Sequence, residues 1–172
     1  FDLPTSAQWE YACRAGTTTA LNSGKNLSAA GKCSELNEVA RYSYNSGWID
    51  NGAEWKPAIY SNASTNLGTA IVGCYLPNAW GLYDMHGNVW EWCLDAQWKT
   101  NALNGGVDPV GAGLNEFGDD VSYRVYRGGS WRHDVELISG QRDALQWKRS
   151  EMNSGAFFNI GFRVALHGGA LP

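Results

Sequence analysis

Hydrophobic and polar positions follow a regular period in only a few stretches of this chain, and those stretches predict its elements. Thr5 or Ser6 can cap a helix that continues through residues 9–14 and stops at Gly16, because hydroxyl side chains bind the free amides of a first turn and glycine favours a helix end. Residues 123–127 alternate as a strand does, and residues 160–166 predict a closing strand.

The densest pattern lies in residues 78–92, which combine four aromatic side chains with two carboxylates and two glycines. This mixture suits neither an amphipathic helix nor a regular strand, so we expect a turn-rich structural hub, and "the hub" below means residues 78–92. Trp90 and Trp92 lie two positions apart, so in an extended segment both indoles share one face and Glu91 points to the other.

The two carboxylates of the hub allow two interpretations. Gly87 and Asn88 suit a tight turn, and a loop that curls back there brings Asp84 and Glu91 together with the carbonyls of Gly87 and Val89. Carboxylate and carbonyl oxygens are the ligands that calcium prefers. Alternatively, Asp84 caps the turn and Glu91 meets an arginine.

Long stretches rich in Asn, Ser, Gly and Thr separate these elements. Residues 17–76 and 95–120 have this composition, which favours turns and loops. The first is long for a loop, so we expect Tyr42, Trp48 and Trp55 to anchor it, with a sugar-binding platform of tryptophans as the alternative. The chain shows no repeat and no linker, which predicts a single domain over residues 1–172.

Composition and charge narrow the class of protein. The chain has 172 residues, of which 44% are hydrophobic and 13% aromatic, with 21 glycines, as expected for one globular domain with many turns. A net charge of -4 argues against a nucleic-acid partner, because phosphate binding relies on a basic surface. No apolar run is long enough to predict a membrane span.

The four cysteines leave the redox compartment open. Cys13, Cys33, Cys74 and Cys93 include no CxxC pair, so no structural zinc site is indicated. An even number of cysteines permits two disulfides, but the spacing dictates none.

Four motifs together resemble one known family. They are LPTSAQWEYACRAG at residues 3–16, NAWGLYDMHGNVWEW at residues 78–92, RGGSW at residues 127–131 and IGFRVA at residues 160–165. In this order they are similar to the formylglycine-generating-enzyme (sulfatase-modifying factor) domain family. The resemblance implies an α+β fold, the C-type-lectin-like fold of the formylglycine-generating-enzyme type, with little regular secondary structure and long ordered loops. It also implies that an N-terminal part of the domain is missing from this chain.

The resemblance adds expectations about metals and thiols. The calcium site of the family falls here on Asp84, the carbonyls of Gly87 and Val89, and Glu91. Some members bridge the cysteine of the first helix to one in the last strand. That strand has no cysteine here, so Cys13 is expected to be a buried thiol.

The catalytic machinery of the family is not matched. Active formylglycine-generating enzymes carry a cysteine pair after the Gly-Gly-Ser motif, and soft thiolates of this kind bind Cu(I). The two positions fall near His133 and Ile138, and no cysteine follows Cys93. We therefore expect no copper and no enzyme activity, with a divergent enzyme as an alternative. Related non-haem iron enzymes need a histidine-rich ligand set, and this chain has only three histidines.

Residues 131–159, called here the variable segment, mix charged, apolar and aromatic side chains without a period between two recognisable strands. Such a segment is a candidate binding surface. With its flanking motifs it resembles the variable proteins of diversity-generating retroelements, of the Treponema type, whose C-terminal lectin-like domain displays residues rewritten by adenine-directed mutagenesis.

This second resemblance implies a non-catalytic, receptor- or adhesin-like protein, at the cell surface or outside the cell, that binds an unknown protein or carbohydrate ligand. A fixed-specificity lectin-like carbohydrate binder is another alternative. In a binding surface, aromatic side chains dominate the binding energy and polar side chains supply specificity. Among the aromatic residues of the segment, Trp131 is expected to lie in the core instead. The candidate ligand-binding residues are Arg132, His133, Asp134, Glu136, Gln141, Asp143, Leu145, Trp147, Ser154, Ala156, Phe157 and Phe158.

Overall fold

Regular secondary structure is sparse and short in this protein. The computed structural model describes residues 1–29, 31–46, 68–96, 124–133 and 159–166, together with the backbone of residues 48–50 and 55–57. Within these ranges lie two α-helices, a short 3-10 helix and seven strands. They are α1 (Ser6–Arg14), α2 (Ser34–Asn37), the 3-10 helix Ser43–Asn45, β1 (Ala40–Arg41), β2 (Trp48–Asp50), β3 (Trp55–Pro57), β4 (His86–Gly87), β5 (Trp90–Ala96), β6 (Arg124–Arg127) and β7 (Ile160–Phe162).

Strand β5 is the centre of a three-stranded sheet with the order β6-β5-β7. β6 runs antiparallel to β5 and places Arg127 opposite Glu91, whereas β7 runs parallel and places Gly161 opposite Glu91. Beyond β7, an antiparallel bridge joins Ala165 to Asp2. The predicted closing strand is therefore three paired residues and one bridge, and the strand predicted at residues 123–127 begins at Arg124.

Helix α1 forms where the sequence predicts it. The Thr5 hydroxyl accepts from the Gln8 amide at 3.1 Å, and the Gln8 side chain accepts from the Thr5 amide at 3.0 Å, which completes a capping box. The helix ends at Ala15, in left-handed conformation with φ 47°, one residue before the predicted Gly16. Trp9 and Cys13 on its inner face pack against Met85 and Cys93.

A second core holds the part of the chain that was predicted to be loop. Leu21, Leu36, Val39 and Tyr42 are all buried there, and the Tyr42 hydroxyl accepts from the backbone amide of Cys33 at 2.9 Å. Tyr42 is thus the anchor that its position predicted. The side chains of Trp48 and Trp55 lie outside the described residues.

The hub has the turn that its sequence predicts, but it also begins strand β5 at Trp90, which its irregular pattern did not predict. Gly87 and Asn88 have φ values of 71° and 63°, and a side chain at Gly87 would overlap the carbonyl of Arg41, so only glycine fits. Trp90 and Trp92 both contact the Tyr126 ring edge-on, with centroids 4.7 and 5.6 Å away. The two indoles therefore share one face, as predicted.

In the part of the chain that the structure describes, no helix has the length and apolar character needed to cross a membrane.

Candidate functional site

Glu91 is a buried carboxylate paired with an arginine. Its Oε1 accepts from Arg163 Nη2 at 2.8 Å and its Oε2 accepts from Arg163 Nε at 3.0 Å, which is the bidentate geometry of a strong ion pair. Trp9 Nε1 also donates to Oε2 at 2.6 Å, and Arg163 Nη2 donates to the Tyr83 carbonyl at 2.9 Å. One carboxylate thus joins α1, β5 and the chain after β7.

A second ion pair fixes the other side of α1. The buried Arg127 guanidinium pairs with Glu10, and Glu10 also pairs with Arg14 at 3.0 Å. The same guanidinium lies 5.5 Å from the centroid of the Trp9 ring, a cation–π contact. The Trp9–Glu91 hydrogen bond and the Arg127–Glu10 ion pair together hold α1 against the sheet.

Asp84 has a less complete set of partners. Its backbone is left-handed, with φ 56°, and its Oδ2 accepts from the Gly73 amide at 2.7 Å. The other oxygen, Oδ1, is buried and has no hydrogen-bond partner among the described residues.

Three of the four predicted calcium ligands line one cleft of about 480 Å³: Asp84, Val89 and Glu91. Gly87 is not part of its lining, and its amide donates to the Gly128 carbonyl at 2.7 Å.

The four residues do not fit a calcium ion together as they stand. A guanidinium already contacts both oxygens of Glu91, and a divalent cation would have to displace it against charge repulsion. Glu91 meets an arginine and Asp84 binds a turn amide, which is the second interpretation of the hub. The calcium site stays a prediction.

The variable segment begins on the scaffold. Ser130 is buried, and its hydroxyl lies 2.6 Å from His133 Nδ1. Trp90 Nε1 donates to the same nitrogen at 3.2 Å, and the Trp90 and His133 rings meet edge-on at 5.1 Å. Because an indole N–H only donates, Nδ1 of His133 acts as an acceptor here.

Only two of the twelve candidate ligand-binding residues fall within the described ranges. Arg132 is exposed, and His133 is half-buried against Trp90. Trp131, expected in the core, is half-buried. The remaining candidates lie outside the described residues: Asp134, Glu136, Gln141, Asp143, Leu145, Trp147, Ser154, Ala156, Phe157 and Phe158.

The thiols offer no activated nucleophile in the core. Cys13, Cys33 and Cys93 are buried, Cys74 is exposed, and all four are free thiols. Burial raises the pKa of Cys13 and of Cys93 to about 12, so both stay protonated near neutral pH. Cys13 is the buried thiol that was predicted.

The sequence analysis did not predict that apolar residues at the end of β7 and beyond it are exposed. Phe162 is 70% exposed and Val164 58%. The signal was present in the period of two, since Arg163 must turn inward to reach Glu91 and its neighbours then turn outward.

Known proteins resemble this chain over nearly its whole length. The formylglycine-generating enzyme of Mycobacterium tuberculosis is 37% identical over 167 residues, which cover 94% of this chain and 49% of the relative. That of Streptomyces coelicolor is 32% identical over 172 residues, which cover 95% of this chain and 46% of the relative. This chain thus spans about half the length of the curated relatives it matches.

A solved structure and a domain family complete the comparison. Treponema denticola variable protein 1 superposes with a TM-score of 0.59 and 29% identity, over 93% of this chain and 45% of that protein. Residues 1–167 match the family described as the sulfatase-modifying factor enzyme 1-like domain. The predicted fold, C-type-lectin-like with sparse regular structure, is confirmed. On these grounds the chain belongs to the sulfatase-modifying factor enzyme 1-like (FGE-sulfatase) family.

Proposed function

We propose that this chain is a non-catalytic ligand-binding domain of the variable-protein type, and that the variable segment binds the ligand. The observation that carries the proposal is the way the segment begins. The backbone is bonded to the scaffold, from Trp131 N to the Asn88 carbonyl at 2.8 Å and from Ser43 N to the His133 carbonyl at 3.2 Å. Between them the Arg132 side chain is exposed. Main-chain anchors of this kind hold a segment whatever its exposed side chains are.

The far end of the segment returns to the same place. The Asn159 carbonyl accepts from Trp90 N at 2.9 Å, and Asn159 Nδ2 donates to the Ser130 hydroxyl at 3.2 Å. Both ends therefore meet at Trp90 in the hub. A loop closed on a rigid base displays its side chains without requiring them for folding, as in other binding scaffolds.

The likeness to Treponema denticola variable protein 1 supports this function, and the enzyme names of the sequence relatives support the alternative of a formylglycine-generating-type oxidoreductase. Two facts favour the binder. No cysteine follows Cys93 to bind copper through a thiolate pair, and the core thiols of Cys13 and Cys93 are held protonated. The cell-surface or extracellular location implied by the resemblance is part of the proposal.

An activity assay separates the two functions. The purified chain, loaded with Cu(I), is incubated in air and a thiol reductant, which supplies the two further electrons that reduction of O2 to water requires, with a cysteine peptide that the Streptomyces coelicolor enzyme converts; that enzyme serves as the positive control. We expect the peptide mass to stay unchanged with this chain. Conversion of the cysteine to formylglycine, seen by mass spectrometry, would overturn the non-catalytic assignment.

A further inference from the structure

The two ends of the variable segment meet at one buried hydroxyl group. Ser130 is fully buried, and its Oγ lies 2.6 Å from His133 Nδ1 at the start of the segment. Asn159, the last residue of the segment, donates from Nδ2 to the same oxygen at 3.2 Å. The Ser130 hydroxyl therefore joins the start of the segment to its end.

The hydrogen bonds at this junction require a neutral His133. Trp90 Nε1 donates to His133 Nδ1 at 3.2 Å, and because an indole nitrogen can only donate, Nδ1 carries no proton. The Ser130 hydroxyl then donates its one hydrogen to Nδ1, and its oxygen accepts from Asn159. In this arrangement each of the three donors has an acceptor.

Protonation of His133 breaks this arrangement. An imidazolium carries a hydrogen on both ring nitrogens, so Nδ1 no longer accepts a hydrogen bond. The Ser130 oxygen can accept from the imidazolium, but the hydroxyl hydrogen of Ser130 and the indole hydrogen of Trp90 then lose the acceptor that they share. Both residues are buried, and a buried donor that loses its acceptor is costly.

Uncharged groups hold His133 on the scaffold. Ser130 and Trp90 contact its ring, and the Ser43 amide of the 3-10 helix donates to its carbonyl. In the sequence, Arg132 and Asp134 flank His133 with opposite charges, which largely cancel. The proton on His133 is therefore governed mainly by the hydrogen bonds of the ring.

The other ionisable groups near this junction are engaged or neutral. The charged side chains that the structure describes in and beside the three-stranded sheet bind partners of their own: Glu91, Asp95, Arg127 and Arg163. The titratable side chains described on β5, β6 and the 3-10 helix belong to types that are neutral in mild acid: Cys93, Tyr126 and Tyr44.

We propose that Ser130, His133 and Asn159 form a proton-sensitive latch, which closes the base of the variable segment while His133 is neutral and releases it when His133 gains a proton. An ordinary imidazole gains its proton near pH 6.5. The closed state therefore keeps its full stability above that pH and loses stability as the pH falls below it, because the open state takes up the proton more readily. The opening needs no ligand, and its effect on ligand binding rests on the proposed function.

Hydrogen exchange of single amides tests the latch without ligand, so that its failure leaves the proposed binding function standing. The amides of Ser43 and Trp90, which donate to the carbonyls of His133 and Asn159, report the latch. The Trp9 amide, which donates to the Thr5 carbonyl in α1, reports the scaffold. From pH 8 to pH 5, we expect the protection factors of the two latch amides to fall at least about tenfold, as uptake of one proton predicts. That of Trp9 should stay unchanged.

Three variants assign the proton to His133. His133→Asn supplies an amide oxygen that accepts hydrogen bonds and does not titrate, so the loss of protection between pH 8 and pH 5 should shrink to less than about twofold. Asp134→Asn, the matched control, removes the neighbouring carboxylate and should keep the tenfold loss. Ser130→Ala should lower the protection of Ser43 and Trp90 at pH 8 about fivefold, the scale of one hydrogen bond, and gives a second readout if His133→Asn does not fold.

Four results would overturn the latch. They are an equal loss of protection at Trp9 or none at the latch amides in the unchanged chain, a tenfold loss that persists in His133→Asn, a loss that disappears in Asp134→Asn, and unchanged protection at pH 8 in Ser130→Ala.

Discussion

At the scale of single residues, the hub depends on positions that accept only one type of residue. Gly87 has a left-handed backbone, its amide donates to the Gly128 carbonyl, and the Arg41 carbonyl occupies the space that a side chain would need. Glu91 is equally constrained, since three donors converge on its two oxygens.

Gly87→Ala should lower the free energy of unfolding by more than about 2 kcal/mol, because steric overlap with backbone adds to the cost of a positive φ. Gly81→Ala is the matched control. Gly81 has φ 77°, but nothing lies within 4 Å of its added side chain, so it should lose only about 1–2 kcal/mol. Urea unfolding measures both, and equal losses would contradict the close packing at Gly87.

Glu91→Gln should lower the free energy of unfolding by about 2–3 kcal/mol, because it leaves the Arg163 guanidinium without a carboxylate partner. Arg163 keeps some contact with water, since 29% of its side chain is exposed, which places the loss below that of a fully buried pair. Melting with and without EGTA tests calcium in the same experiment. Identical melting of the unchanged chain in both buffers would contradict the calcium prediction.

The reactivity of the four thiols with a labelling reagent should report directly which of them are buried. At pH 8 iodoacetamide should label the folded chain once, at the exposed Cys74, because the pKa values of Cys13 and Cys93 are raised to about 12 and Cys33 is buried. Unfolding returns both thiols to their ordinary pKa near 9. The free energy of unfolding should therefore keep its full value below about pH 9 and fall as the pH rises towards 12, because only the unfolded chain then loses these protons. Mass spectrometry of peptides locates the label, and labelling of Cys13 or Cys93 in the folded chain would contradict the buried core.

At the scale of elements, local signals were predictable and distant pairings were not. The cap at Thr5 and the shared face of Trp90 and Trp92 follow from neighbours a few positions apart. The arginine that pairs with Glu91 lies 72 positions away along the chain. The sequence could therefore predict an arginine partner, but not that this partner is Arg163. The elements α2 and β1 contain four and two residues, too few to show a period, and tertiary packing forms them.

At the beginning of the variable segment, one residue contacts the scaffold and its neighbour is exposed. His133 contacts Ser130 and Trp90, whereas the neighbouring Arg132 is exposed. We expect His133→Ala to lower the free energy of unfolding by about 1 kcal/mol through lost hydrogen bonding and ring contact. Arg132→Ala should change it by less than about 0.5 kcal/mol. Chemical unfolding compares the two, and a larger loss for Arg132 would contradict the proposed division between anchor and display.

At the scale of the whole molecule, the described elements surround the two ends of the variable segment. The Arg127–Glu10 ion pair and the Trp9–Glu91 hydrogen bond hold α1 to the sheet, and the variable segment leaves and re-enters beside Trp90. The family and fold follow from motifs distributed over the chain. The ligand does not, because binding surfaces depend on exposed side chains that folding leaves unconstrained.

The most direct measurement is to sequence the encoding gene, with its downstream flank, from many clones of the source population. The account predicts substitutions that cluster between codons 131 and 159, fall at adenines of a nearby near-identical template, and spare the hub and the flanking strands. An invariant segment with no template nearby would contradict it, and would favour a fixed-specificity lectin-like binder or an enzyme of the family.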